Sequence, residues 1–292
     1  MMRNRLALVL SVGLLLSGCV TPPTKTYQKN EAKTQTSDTQ LRLSDQTVLT
    51  DARLPFEYAV SHVNGSYNML WTDFTHREEW RRGVLEGDLF FHARRLARLG
   101  LDPKTPIVVI GKGLQGQGDE GRLAWTLMVL GFSDVQLSHI DSLNRTWTKD
   151  EAPALEPKAV WKPEVQENLW IERKDFLAQA MTAEIKRPNV KIFDVRSVDE
   201  YLGKLQTLPH GKMAPDLGAI NIPWTEFFER DNRLRTEIQD QLSAIGITKD
   251  HEILVISNQG VRSGAVTFAL QKMGYKKARN FMGGYRELLR GR

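Results

Sequence analysis

Two stretches of this chain repeat each other, and any fold proposed for it must be one that is built twice. Asp51-Ala-Arg53 followed by Glu57-Tyr58 returns 143 residues later as Asp194-Val-Arg196 followed by Glu200-Tyr201. Gly65-Ser-Tyr-Asn68-Met-Leu-Trp71 returns as Gly218-Ala-Ile-Asn221-Ile-Pro-Trp224, now at a spacing of 153. Ile107 to Ile110 matches Ile253 to Ile256, and Leu130-Gly131-Phe132 matches Met273-Gly274-Tyr275. Four matches in one order define a duplicated unit. The second copy carries about ten extra residues near Leu205 to Asp216.

Each copy alternates strand with helix. Thr47 to Thr50 and Val190 to Phe193 have short strand character, and Ile107 to Ile110 and Glu252 to Ile256 are apolar, β-branched runs of buried-strand type. Helices are predicted over Arg122 to Leu130 and Ser263 to Met273. In the latter, Val266, Ala269, Leu270 and Met273 form a stripe at helical spacing. This alternation predicts an α/β protein of two domains, each a largely parallel sheet flanked by helices. The expected domains are 41–147 and 171–292, joined by a Pro-containing linker over 148–170. Trp147, Trp161 and Trp170, in and beside that linker, are expected to pack on the domains.

The N-terminus reads as a targeting segment. Arg3 and Arg5 precede an apolar run from Leu6 to Leu16, then Ser17-Gly18-Cys19. The run is too short to span a bilayer, which takes about 20 residues. Leu16-Ser17-Gly18-Cys19 resembles the bacterial lipobox, which implies a signal peptide over 1–18, cleavage before Cys19 and lipid on its sulfur. Val20, where an Asp would signal retention, matches the outer-membrane sorting pattern of enteric-type bacteria. A lipid-anchored protein of the cell envelope, facing the periplasm, is expected. Residues 19–40 are polar and read as a flexible tether, with a mean reach of roughly 25 Å.

Loss of the signal removes two arginines, so the formal charge falls from +5 to +3. So mild a balance gives no case for nucleic acid. No cofactor motif is present. The Gly-rich stretch Gly111 to Arg122 lacks the Gly-Lys-Ser/Thr ending of a phosphate loop. The six histidines show no metal-site spacing, so no metal is expected. His62 reads as a hydrogen-bonded structural residue. Arg77, Arg81 and Arg82, and Arg94, Arg95 and Arg98, read as solvated faces or as contacts to anionic lipid or cell-wall polymer.

The doubled Asp-x-Arg-x-x-x-Glu-Tyr block resembles a tandem rhodanese, of the thiosulfate or mercaptopyruvate sulfurtransferase type. Gly218 to Trp224, Val255-Ile-Ser-Asn-Gln-Gly-Val-Arg-Ser263 and Gly283-Gly284 carry the same likeness. The resemblance covers roughly residues 41 to 289. It implies a sulfur-carrying cysteine at the end of the strand, opening a loop Cys-x-x-Gly-x-Arg-Ser ahead of a helix. Backbone N–H groups and a helix N-terminus there favour negative charge. Here that position is Ser257, and in the first copy Gly111. Cys19 is the only cysteine in the chain, so no thiol is available to either copy. A hydroxyl does not carry a transferable sulfur, and a serine nucleophile needs an adjacent base. No His lies in Asn258-Gln-Gly-Val-Arg262.

No catalytic residue is therefore expected. Ser257, Asn258, Gln259, Gly260, Val261, Arg262 and Ser263 are the candidate anion loop. Arg262 either meets an anion or ties the loop down. Asp194 and Arg196 form an internal ion pair or face a ligand. The expected function is a catalytically degenerate binding or scaffolding module, held to membrane lipid through Cys19 and docking an envelope protein or a small anion. The alternative is a sulfurtransferase or sulfur-relay subunit that uses a partner's thiol.

Overall fold

The computed structural model describes residues 41–182 and 188–290. Residues 1–40, where a signal, a tether and a lipidated Cys19 are expected, lie outside the described residues. Among the described residues, no helix is long and apolar enough to cross a membrane.

The first half contains β1 (Val48–Asp51), α1 (Pro55–Val60), β2 (His62–Val63), β3 (Ser66–Asn68), α2 (Leu89–Arg98), β4 (Ile107–Gly111), α3 (Asp119–Val129), β5 (Val135–His139) and β6 (Trp147–Thr148). The second contains α4 (Arg173–Ala180), β7 (Val190–Asp194), α5 (Val198–Tyr201), β8 (Ile220–Asn221), α6 (Ile238–Ala244), β9 (Glu252–Ile256), α7 (Val261–Lys272), β10 (Ala278–Asn280) and α8 (Gly284–Leu288). The two main sheets are β3-β1-β4-β5 and β8-β7-β9-β10. All their pairings are parallel, and the order is the same in both. The sequence repeat is thus a repeat of topology.

The repeated residues are the ones that close each strand end. Asp51 accepts from the Arg53 guanidinium, and Asp194 accepts from that of Arg196 in the same forked arrangement. Asn68 donates to the carbonyls of Asp51 and Arg53, and Asn221 to those of Asp194 and Arg196. Tyr58 and Tyr201 donate to the carbonyls of Ser66 and Ala219. Each side chain satisfies backbone or charge that the strand terminus leaves open.

Helices α3 and α7 form the joint between the halves. The stripe read from the sequence predicts one buried face for α7, but ten of its twelve residues are buried. The reason is that α7 lies between its own sheet and α3, which is itself buried along nine of eleven residues. The backbones come so close that a Cβ on Gly121 would stand 2.5 Å from Ala265 Cβ. Both helices start earlier than the apolar pattern suggests. Asp119 and Glu120 fill the first turn of α3, where acidic side chains suit the helix dipole. Helix α7 begins directly behind Gly260, which takes a left-handed conformation (φ 78°).

The segment 148–170 runs along the first domain. Trp161 donates to the Leu101 carbonyl (3.1 Å) and meets Phe132 edge-on. Trp170 bonds Glu172, and Trp147 sits in β6 under the Arg53 guanidinium. His62 is buried, stacks on Tyr58 at 3.8 Å and has a carbonyl oxygen at each ring nitrogen.

Candidate functional site

Strand β9 ends at Ile256, and the chain turns through Ser257, Asn258, Gln259 and Gly260 into α7. The C-terminal segment fixes this turn from behind. The N–H groups of Tyr285 and Arg286 donate to the carbonyls of Ser257 and Asn258 (both 2.9 Å). A Cβ on Gly260 would overlap the Met282 carbonyl oxygen, so both the positive φ and the packing demand glycine there. With the carbonyls held outward, the N–H groups of Asn258 through Arg262 make no hydrogen bond within the described chain. Ser257 Oγ opens the turn. It is 3.0 Å from Ser263 Oγ and accepts from the Ser263 N–H at 3.3 Å. The result is a run of unbonded donors at a helix N-terminus, where negative charge is favoured.

Arg262 points away from a free anion role. Its guanidinium grips both oxygens of Glu200. Thr207 and Asn258 also donate to that carboxylate, as do the N–H and hydroxyl of Ser197. Burial pushes the Glu200 carboxyl up, but these donors outweigh it and hold its pKa far below the usual carboxylate range. Thr207 belongs to the extra residues near 205–216, so this insertion braces the loop. Asp194 and Arg196 are a buried pair. Tyr285 donates to Asp194 at 3.0 Å and lies beneath the Arg196 guanidinium.

A Rhodanese-like domain model matches residues 35–139 and 177–290, which are the two halves described above. The chain belongs to the rhodanese-like family. It is 26% identical over 248 residues to the sulfur carrier protein TtuD of Thermus thermophilus, covering 79% of this chain and 83% of that one. It is 29% identical over 195 residues to the thiosulfate sulfurtransferase of Azotobacter vinelandii, covering 65% and 68%. Among solved structures, SseA from Escherichia coli, described as a 3-mercaptopyruvate sulfotransferase with the rhodanese fold, superposes with TM-score 0.63 at 20% identity. That match covers 82% of this chain and 93% of that one. The chain spans 63% of a longer structural relative.

Both rhodanese-like loops open on one cleft of about 560 Å³, between the domains. Ser257, Asn258 and Gln259 line one end, and Gly111, Lys112 and Glu120 line the other. The first-copy loop differs in one decisive respect. Glu120 folds back into it and fills the place of a nucleophile, so that a Cβ on Gly111 would stand 2.6 Å from Glu120 Oε2. The backbone N–H groups of Gly113 and of Glu120 itself favour the charged carboxylate, against the larger effect of burial. The carboxyl accepts from the Asn232 side chain of the second domain at 3.0 Å. The first cradle already holds an acid group supplied by the protein.

Burial pushes the Glu120 pKa up from 4.5 to about 7. Between those values the unfolded chain has released this proton and the folded chain keeps it. Stability therefore falls as pH rises across that window. Glu120→Gln has no proton to release, so its stability is expected to vary less from about pH 5 to about pH 7. Chemical denaturation at several pH values measures this. An unchanged slope would show that Glu120 is ionised in the folded chain throughout.

Sequence reasoning did not find Glu120, Asn232 or Glu200 as parts of the site. A signal was present for Glu120, since an acid follows the glycine-rich loop at the start of an otherwise apolar helix. Asn232 reaches the loop from more than a hundred residues away, and nothing local marks it. Among the described residues, no three His, Cys, Asp or Glu side chains group as a metal site.

Proposed function

We propose that this rhodanese-like protein binds a small oxyanion in the Ser257 cradle and does not itself transfer sulfur. The observation that carries this reading is the pairing of unbonded N–H groups at 258–262 with a hydroxyl at the sulfur-carrying position. Ser257 Oγ has no base to activate it, because its side-chain neighbour is the Ser263 hydroxyl. The cradle keeps its affinity for negative charge and lacks the atom that would carry sulfur. The chain in this reading is a binding module of the cell envelope, anchored by lipid on Cys19 and presenting its bound anion, or the cleft around it, to another envelope protein. Its relatives' names, sulfur carrier and thiosulfate sulfurtransferase, supply the anion class, a sulfur oxyanion such as thiosulfate.

The second reading, a sulfur-relay subunit that uses a partner's thiol, draws on the same relatives. Purified protein is expected to form no thiocyanate from cyanide with either thiosulfate or mercaptopyruvate as donor. Turnover by the chain alone would reject the module. Turnover only after a thiol-bearing envelope protein is added would favour the relay. The anchor has its own test. The wild type is expected to take up labelled palmitate in a lipoprotein-processing bacterium, and Cys19→Ser is not. Equal labelling would remove Cys19 from the account.

A further inference from the structure

Five cations line the cleft, namely Arg53, Arg82, Lys112, Arg262 and Arg286. Four have carboxylate partners. Arg53 pairs with Asp51, Lys112 with Glu57, and Arg262 with Glu200. Arg286 reaches Glu79 at 3.4 Å. Of the five, the Arg82 side chain alone has no hydrogen bond or ion pair among the described residues, while its backbone N–H donates to the Glu79 carbonyl. The residue is exposed and lines the cleft.

The backbone that carries Arg82 is held against the second-copy loop. Residues 75 to 85 form an arm closed by the Thr75–Leu85 bridge. At Gly83 the arm touches the loop so closely that a Cβ there would overlap the carbonyl oxygens of Gln259 and Met282. A single guanidinium fastens the two. Arg122 in α3 donates from Nη1 to the Gly260 carbonyl (3.1 Å) and from Nη2 to the Gly83 carbonyl (2.6 Å). Arg122 is fully buried and, among the described residues, has no carboxylate partner. Burial pulls its pKa down to about 9, which leaves it cationic at neutral pH. It lies over the Trp125 ring at 4.3 Å. At the arm's far end, the Arg290 guanidinium stacks on Trp80 at 3.4 Å. The first domain is therefore not only a closed copy. It holds an unpaired arginine beside the open cradle of the second.

We infer that Arg82 is a specificity residue for the anion held at the Ser257 loop, supplied by the first domain and positioned by the Arg122 clasp, and that it selects doubly charged oxyanions over singly charged ones. This rests on the proposal that the loop binds an oxyanion. The physical ground is charge matching. N–H donors satisfy the lone pairs of either kind of anion, but only a free cation adds a full charge against the second negative charge. A cation already paired to a carboxylate contributes little net field.

The test is calorimetric titration of full-length Cys19→Ser protein with thiosulfate, sulfate and the monoanion nitrate. Arg82→Gln and Arg82→Lys are measured alongside. Wild type is expected to bind thiosulfate and sulfate more tightly than nitrate. Arg82→Gln is expected to weaken the two dianions about ten-fold, the size of a lost charge-assisted hydrogen bond, and to leave nitrate within about two-fold. Arg82→Lys should recover most of the dianion affinity. The Arg82 side chain is exposed and bonds nothing among the described residues, so the melting temperature should not move. A structural role would move it and would weaken all three anions together. If wild type binds and Arg82→Gln binds dianions equally well, the inference about Arg82 is overturned and the cradle stands. If wild type binds none of the three, the oxyanion reading itself fails and this inference fails with it.

Discussion

Ser257→Cys, in a Cys19→Ser background, is expected to gain sulfur transfer from thiosulfate that the wild type lacks. The loop around residue 257 has the parts that activate a thiol. It offers the N–H groups of 258–262, the first turn of α7 and a left-handed glycine that shapes the turn. Such surroundings lower a thiol pKa and populate the thiolate. The thiolate would attack the outer sulfur of thiosulfate, forming the cysteine persulfide and releasing sulfite. Cyanide would then take that sulfur as thiocyanate and return the thiolate. The larger atom sits beside Ser263 Oγ, now 3.0 Å from the serine oxygen, and a shift of a few tenths of an ångström admits it. Losing a nucleophile costs some enzymes about 10⁶-fold in rate, so a gain of at least about a hundred-fold over background is a modest expectation. Thiocyanate release measures it. A silent variant that still binds thiosulfate would mean that the cleft keeps the acceptor away from the loop. A silent variant that binds nothing would mean that the cradle is not an anion site.

The largest loss of stability is expected from Asp194→Ala. The carboxylate holds the Arg196 guanidinium through both oxygens and accepts from the Tyr285 hydroxyl. The Arg196 side chain is 2% exposed, so removing its partner leaves a buried charge with no water to replace it. Such a change costs about 3–5 kcal/mol. Tyr285 also donates its N–H to the Ser257 carbonyl, so a displaced tyrosine would loosen the cradle. The matching change in the first copy, Asp51→Ala, should cost less. Arg53 is 11% exposed there and keeps a bond to the Ser61 carbonyl. Denaturant unfolding of the two variants measures both. Equal losses would show that the burial difference between the copies does not set the energy.

These two sites were unequally visible in the sequence. The Asp-x-Arg, Glu-Tyr and Asn positions repeat because each closes a strand end locally, within about thirty residues. Local geometry of that kind leaves a spacing that can be read. The identical strand order of the two sheets follows from the same repeat. The Ser257 loop was legible for a similar reason, since strand, turn glycine and helix are contiguous. What was not legible joins distant segments. Arg122 stands among the polar residues that open α3, ahead of its apolar run, and its two carbonyl partners lie 39 and 138 residues away. Arg82 reads as one of three arginines on a solvated face. Its place beside the second loop comes from contacts between distant segments, the Gly83 approach to Gln259 and Met282 and the Arg122 clasp. The four extra residues of the first loop hide the fact that Glu120 stands near the position of Arg262, an acid where the second copy has a base.

The central claim is that one copy still holds an anion and the other has filled itself. Calorimetric titration of thiosulfate into the wild-type chain tests it most directly. The account predicts saturable binding with one site per chain, and thiosulfate recovered unchanged at the end. Two sites per chain would contradict the closure of the first loop by Glu120. No binding, at protein concentrations where the chain is folded, would contradict the cradle itself.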